Sequence, residues 1–181
     1  MTREDARWLA CFVDTDGSIS IFGKHRGCSG SIEFKTVITL TSCVPEMLAE
    51  SMRLIGAGSI CHNKRNPPRR KLVYRHTIVS RGACRLLRFI YPYLIVKKRQ
   101  ARCAIHFQER LAGHNYDRKN PVPASEVVYR KRICEIVRVL NYRGVEDSHP
   151  DISWVPEPDL SGVEYDADQE EADESIEGDT C

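Results

Sequence analysis

Two aspartates, Asp14 and Asp16, directly follow a short apolar stretch, Trp8–Val13. The apolar residues of this stretch recur at helical spacing, so the pattern predicts a helix that ends at Gly17. The C-terminus of a helix carries partial negative charge, which disfavours a carboxylate there by about 0.3–1 kcal/mol. A bound divalent cation would offset that cost, because hard cations such as Mg²⁺ prefer oxygen ligands. The spacing therefore favours metal chemistry at the end of this helix.

The elements around these aspartates form a repeated helix–strand–strand unit. Thr2 and Asp5 are spaced like a capping box, which predicts the start of the first helix. The order αββαββα predicts an α+β fold, with a four-stranded antiparallel sheet, helices on one of its faces and further C-terminal helices. The other face must be solvated or bound to a partner. The predicted strands are 18–21, 32–41, 59–63 and 72–80. A second helix is predicted to start at Pro45, and the later predicted helices are 82–90, 97–111 and 123–140.

Charge is divided unevenly along the chain. Residues 1–150 hold all 27 Lys and Arg against 13 Asp and Glu, about +14, whereas residues 151–181 hold 12 acids and no Lys or Arg. So basic a body favours a nucleic-acid partner over a merely soluble surface. We predict one domain over residues 1–147 and an acidic, disordered tail over 148–181, with Trp154 and Val155 as its anchor. The tail is either a solubilising extension or a DNA mimic that folds back on the basic sheet.

The eight cysteines form no C-x-x-C pair and no cluster with zinc spacing. They are predicted to be reduced thiols of an intracellular protein without a secretion signal, either cytoplasmic or organellar or phage-encoded. No stretch of about 18 apolar residues predicts a membrane span.

Two segments resemble a known family. Leu9–Gly17 (Leu-Ala-Cys-Phe-Val-Asp-Thr-Asp-Gly) is similar to the nine-residue LAGLIDADG motif of homing endonucleases, and Ile90–Ala101 resembles their second signature, a proline turn before a lysine and then Gln-Ala. Leu54–Ile60 resembles the family's helix-to-strand junction. Together the matches span residues 5–110. The resemblance implies the family's αββαββα fold with a saddle-shaped sheet, and metal-dependent, site-specific cutting of double-stranded DNA during intron homing.

The resemblance also implies roles at the site. Asp16 matches the acid that binds the metal, Mg²⁺ or Mn²⁺, and Thr15 would offer its backbone carbonyl. Lys97 matches the active-site lysine that positions or polarises the attacking water. Asp14 is interpreted as structural, orienting the turn.

A single copy of the motif implies a homodimer, because a monomeric relative would need two. The interface would be formed by two Leu9–Thr15 helices that cross through small residues. Cys11 and Thr15 replace the glycine or alanine common in the family, so the helices are expected to stand further apart. The predicted interface residues are Trp8, Leu9, Cys11, Phe12 and Thr15.

In the family, alternate strand residues read the DNA major groove. Ile19 and Ile21 are expected to face the helices, which puts their neighbours on the DNA side. Thr39, Thr41 and Ser42 are candidates for water contacts near Asp16. The predicted DNA-binding residues are Ser20, Phe22, Lys24, Arg26, Asn63, Arg65, Arg69, Arg70, Lys71, Arg75 and Thr77, with Lys98 and Arg99 holding the backbone near the site.

Two other functions remain open on the sequence. Relatives of this fold assist the splicing of group I introns, so an RNA-binding maturase is one alternative. A DNA-binding regulator with an inactive site is the other. The presence of both Asp16 and Lys97 favours the endonuclease.

Overall fold

The computed structural model describes residues 1–25, 32–62, 71–113, 122–142 and 150–166, without the side chains of residues 24 and 25. The order of its elements confirms the predicted α+β fold, with helices α4 and α5 following the αββαββα unit. In chain order the elements are α1 Arg3–Asp16, β1 Gly17–His25, β2 Ile32–Ser42, α2 Pro45–Ile55, β3 Ser59–His62, β4 Tyr74–Val79, α3 Ser80–Ile90, a 3₁₀ turn Tyr91–Tyr93, α4 Lys98–Ala112 and α5 Ala124–Leu140.

Helix α1 has the predicted ends. The Thr2 hydroxyl accepts from the Asp5 amide, and the Asp5 carboxylate accepts from the Thr2 amide, which is a complete capping box. At the other end, the Gly17 amide donates to the Val13 carbonyl. A Cβ on Gly17 would lie 2.7 Å from Val13 backbone atoms, so this position requires glycine. The chain therefore passes from helix to strand within one residue of Asp16.

The four strands are antiparallel in the order β1-β2-β4-β3. One face of the sheet carries buried apolar residues, among them Ile19, Ile38 and Ile78, which pack in one core with α1, α3 and α4. Burial of this face supplies the main stabilisation of the fold. The opposite face carries no helix among the described elements, and it is called the open face below.

A buried histidine joins α2 to the sheet. His76 on β4 is fully buried, its Nε2 donates to the Ala57 carbonyl at 2.9 Å and its Nδ1 lies 2.8 Å from the Ser51 hydroxyl. Burial lowers the pKa of His76, which favours the neutral ring. Gly58, at φ 108°, passes so close to the ring that a Cβ there would clash. These contacts hold β4 against α2 and against the turn that precedes β3.

A second cluster supports the edge strand β1. Ile21 packs with Phe107 of α4 and Ile133 of α5. The side-chain amide of Asn141, just after α5, donates to the Ile19 carbonyl at 2.7 Å. Helix α5 thus holds β1 from its unpaired side.

The C-terminal segment 150–166 corrects an expectation. Its composition predicted disorder, but Ile152 and Val155 are buried in the second cluster and Leu160 packs on the first. Arg102 of α4 donates to the Val155 carbonyl, and the Tyr165 hydroxyl donates to the Phe89 carbonyl at 2.6 Å. The acidic residues alone would leave this segment unfolded. It is ordered by single apolar anchors and by backbone carbonyls that accept from arginines. This described part of the tail packs on helices and not on the open face, and residues 167–181 lie outside the description.

No helix within the described ranges is both long enough and apolar enough to cross a membrane.

A buried ion cluster on α5 generates a prediction. The Glu126 carboxylate is 4% exposed and accepts from Arg110 at 2.8 Å and from the buried Arg130 at 3.0 Å. Burial opposes its ionisation, but the two guanidinium groups outweigh this and lower the pKa of Glu126. Glu126→Ala should lower the free energy of unfolding by about 3–5 kcal/mol, because it leaves Arg130 buried without its carboxylate.

The measurement is urea denaturation near pH 7, with Glu135→Ala as the matched control on the same helix. Glu135 pairs with Arg138 at an exposed position, so its removal should cost less than about 1 kcal/mol. Equal losses in the two variants would contradict this account.

Candidate active site and nucleic-acid interface

The end of α1 is tied to a loop some eighty residues further along the chain. The Asp14 carboxylate accepts from the backbone amides of Ile95 at 2.7 Å, Val96 at 3.1 Å and Lys97 at 2.8 Å. In return, the Lys97 ammonium donates to the Asp14 carbonyl. Both motifs that were singled out in the sequence therefore meet at one point, and Asp14 has the structural role that the sequence interpretation assigned to it.

Asp16 is the exposed carboxylate beside this junction. The Thr41 hydroxyl donates to the Asp16 backbone carbonyl at 3.0 Å, which fixes the backbone there against β2. No hydrogen bond or ion pair engages the Asp16 carboxylate within the described part of the chain. The Thr15 hydroxyl is turned back along the helix and donates to the Cys11 carbonyl at 3.0 Å.

The donor set suits a hard cation. A carboxylate and a backbone carbonyl are the oxygen ligands that Mg²⁺ accepts, and Mg²⁺ retains several waters, so few protein ligands suffice. Over the described ranges, no three His, Cys, Asp or Glu residues gather into a group that could hold a metal ion. Asp16 and the Thr15 carbonyl fit the metal as predicted ligands, and that role stays a prediction.

The open face consists of side chains in register across the strands. Ser20 and Phe22 of β1 lie on it, as the predicted alternation requires, and so do Arg75 and Thr77 of β4. Their contact with DNA stays a prediction. The cross-strand rows of this face are Phe22–Lys35, Ser20–Val37–Val79, Ser18–Thr39–Thr77–Ser59 and Thr41–Arg75–Cys61.

Several open-face residues were missed by the sequence reasoning. Lys35, Val37 and Val79 share the face with the predicted residues, but they were not singled out. The alternation Ile-Glu-Phe-Lys-Thr-Val-Ile-Thr along β2 could have found the first two. Ile95 and Val96, beside Asp14, were also missed, and they are 86% and 69% exposed.

Other predicted DNA contacts fall outside what the structure describes. The side chain of Lys24 and the residues Arg26, Asn63, Arg65, Arg69 and Arg70 lie outside the described residues. Lys71 is described, and it is exposed just before β4.

Two basic residues near the site have other partners. The Arg99 guanidinium donates to the Pro150 carbonyl at 2.7 Å, and the Lys98 ammonium lies 5.1 Å from the centre of the Tyr91 ring. The Tyr91 hydroxyl in turn contacts Glu157. Both side chains thus have partners within the chain, and their contact with the DNA backbone stays a prediction.

The predicted dimer interface is divided by burial. Leu9 and Phe12 lie in the core of the chain and have almost no surface left for a partner, so their assignment to the interface is corrected. Apolar residues at helical spacing fit a core and an interface equally well, which is why the pattern misled. Trp8, Cys11 and Thr15 are exposed along one stripe of α1.

The junction at Asp14 generates a second prediction. Asp14→Ala should speed hydrogen exchange at the amides of residues 95–97 by about tenfold, because each loses its charged acceptor. NMR-detected exchange is the measurement. Asp151→Ala is the control, since its carboxylate accepts from Ser153, two residues away. Unchanged exchange at residues 95–97 in the Asp14 variant would contradict the role given to this carboxylate.

No protein-family model and no curated protein matches the chain. Solved structures do. The homing endonuclease I-CvuI in complex with its target in the presence of Ca has a TM-score of 0.64 and 20% identity, covering 78% of this chain and 84% of that one. The archaeal intron-encoded homing endonuclease I-Vdi141I complexed with DNA has a TM-score of 0.64 and 16% identity, and the match covers 78% of this chain and 86% of that one.

A third similar structure is the LAGLIDADG homing endonuclease I-SmaMI bound to cleaved DNA. Its TM-score is 0.61 at 15% identity, and the match covers 76% of this chain and 45% of that one. The present chain therefore has the LAGLIDADG homing-endonuclease fold, as its two sequence motifs predicted.

Proposed function

We propose that this chain is a site-specific endonuclease that hydrolyses phosphodiester bonds of double-stranded DNA with a divalent cation, Mg²⁺ or Mn²⁺. The observation that carries the proposal is the exposed Asp16 carboxylate at the end of α1, where both the backbone amide and the ammonium of Lys97 bond to Asp14, two residues before Asp16. The open face starts at the same point, since β1 follows Asp16 directly. Support also comes from structurally similar homing endonucleases that were solved bound to DNA.

Each residue then has a distinct task. Asp16 and the Thr15 carbonyl would hold the cation, which supplies a water of lowered pKa and neutralises charge on the phosphate. Lys97 carries a positive charge to the same place, where it can orient a water or stabilise a developing negative charge. Arg75, exposed on β4, adds positive charge to the face that would bind the DNA.

Cutting both strands of DNA needs two such sites, which a homodimer supplies. We propose that two copies meet through the exposed stripe of α1 formed by Trp8, Cys11 and Thr15. Ile95 and Val96 lie next to the end of this helix through their bonds to Asp14, and their exposed apolar surface extends the stripe. Such a contact would place the two Asp16 residues close to the two-fold axis.

The proposal predicts cleavage that requires both the cation and Asp16. Purified protein should cut members of a plasmid library at discrete sites with Mg²⁺ and not without it. Asp16→Asn should lower the cleavage rate by more than about 100-fold, because the loss of an outer-shell partner of a metal ligand alone costs roughly 10–100-fold. DNA binding, measured by fluorescence anisotropy, should persist in this variant.

Glu135→Gln, on the exposed face of α5, is the control and should cut normally. Binding of group I intron RNA without DNA cleavage would favour the splicing maturase instead. DNA binding that is unaffected by Mg²⁺ and never followed by cleavage would favour an inactive regulator.

The dimer carries its own prediction. Cys11→Arg places a long charged side chain on the exposed stripe without touching the core, so it should shift the protein to monomer and stop double-strand cutting. Sedimentation equilibrium measures the mass. Val128→Arg, at an exposed apolar position of α5, should leave the wild-type mass unchanged. A Cys11 variant that keeps the wild-type mass would refute the α1 interface.

A further inference from the structure

The open face contains an apolar patch among polar and charged neighbours. Phe22 is 59% exposed and Val79 is 47% exposed, and the half-buried Val37 lies between them on the middle strand. Ordinary alternation would put polar residues here, since the sheet already buries its apolar side chains on the other face. The patch is defined as Phe22, Val37 and Val79.

The strand register makes the patch continuous. Val37 is directly paired with Val79 on one side and with Ser20 on the other, and Phe22 is paired with Lys35, two residues from Val37 on the same face. With neighbouring strands about 4.8 Å apart, the three side chains span roughly 10 Å across the sheet. Along β1, Phe22 lies two residues, about 7 Å, beyond the row of Val37 and Val79. This corresponds to about two base-pair steps of 3.4 Å for DNA that runs along the strand.

The surroundings of the patch fit a polyanion better than an apolar protein surface. Arg75 stands exposed on β4, and Lys35 is half exposed beside Phe22, where it also pairs with Glu33 at 3.3 Å. Residues 1–150 carry an excess of about 14 positive charges. The occupant of this face should therefore offer both phosphates and small apolar groups.

In the DNA major groove, the 5-methyl group of thymine is the apolar feature of the base edges. We propose that the apolar patch reads thymine methyl groups, so that the DNA target carries thymines opposite Phe22, Val37 and Val79. This inference rests on the proposed DNA-binding function and adds a sequence preference to it.

The register also gives a position for these thymines. Ser20, in the row of Val37 and Val79, is four residues from Asp16 along β1, and Phe22 is six residues away. At about 3.3 Å per residue, the patch lies roughly 13–20 Å from the candidate cutting site. The thymines should then occur about four to six base pairs from the cleaved bond, at 3.4 Å per step.

The test selects bound DNA from a randomised library with the wild-type full chain, so that it does not depend on cleavage. Thymine should be enriched at adjacent positions of the selected site. Each of these thymines is then replaced by deoxyuridine, which removes only the methyl group. Each replacement at the patch should raise the Kd about fourfold, the equivalent of one buried methyl group at about 0.8 kcal/mol.

Variants assign the effect to the patch. The Phe22→Ser variant should bind thymine and deoxyuridine equally at the positions that face residue 22. The Val79→Ser variant should do the same at the positions that face residue 79. The control Val128→Ser, on α5, should keep the wild-type preference for thymine. Because Phe22, Val79 and Val128 are all exposed, the thermal unfolding midpoints of the three variants should stay near that of the wild type.

The two levels of the proposal fail differently. Binding to a selected site that is insensitive to deoxyuridine, or equally sensitive in all variants, would overturn the thymine reading and leave DNA binding intact. Absence of any DNA binding would overturn both. If the wild type and the patch variants alike bound a protein partner and no DNA, both proposals would also be overturned.

Discussion

The structure depends on one carboxylate that bonds three consecutive amides. Asp14 collects the N–H groups of residues 95–97, which joins the end of the first helix to the loop before α4. A charged acceptor makes such bonds about twice as strong as neutral ones. The candidate site exists only because this contact brings Asp16 and Lys97, 81 positions apart in the sequence, to the same end of the molecule. Two aspartates that look equivalent in the motif thus have different tasks, one holding backbone and the other facing solvent.

Local chemistry explains why much of the fold could be predicted. The capping box of Thr2 and Asp5, the glycine at position 17 and the proline that starts α2 each act within a few residues. The alternation along β1 determines which side chains face the core, because a strand has a period of two. The open face therefore followed from sequence for Ser20 and Phe22.

Long-range contacts explain what could not be predicted. Leu9 and Phe12 are apolar in a helix, and only the packed structure shows that they face the chain's own core. Val37 and Val79 fall into one row with Ser20 through strand register, which the sequence does not state. Residues 150–166 read as polar, yet their order comes from isolated anchors and from arginines on α4 that lie some fifty positions earlier.

The ends of α1 are both held. The terminal amino group of Met1, two residues before α1, pairs with Asp166, while Asp14 secures the other end. A helix held at both ends has little freedom to tilt against the rest of its subunit. If two copies associate through this helix, the separation of their Asp16 residues is set by helix packing and cannot adjust to the DNA. The number of unpaired nucleotides left on each cut end would then be a constant of the protein, the same for every sequence that it accepts.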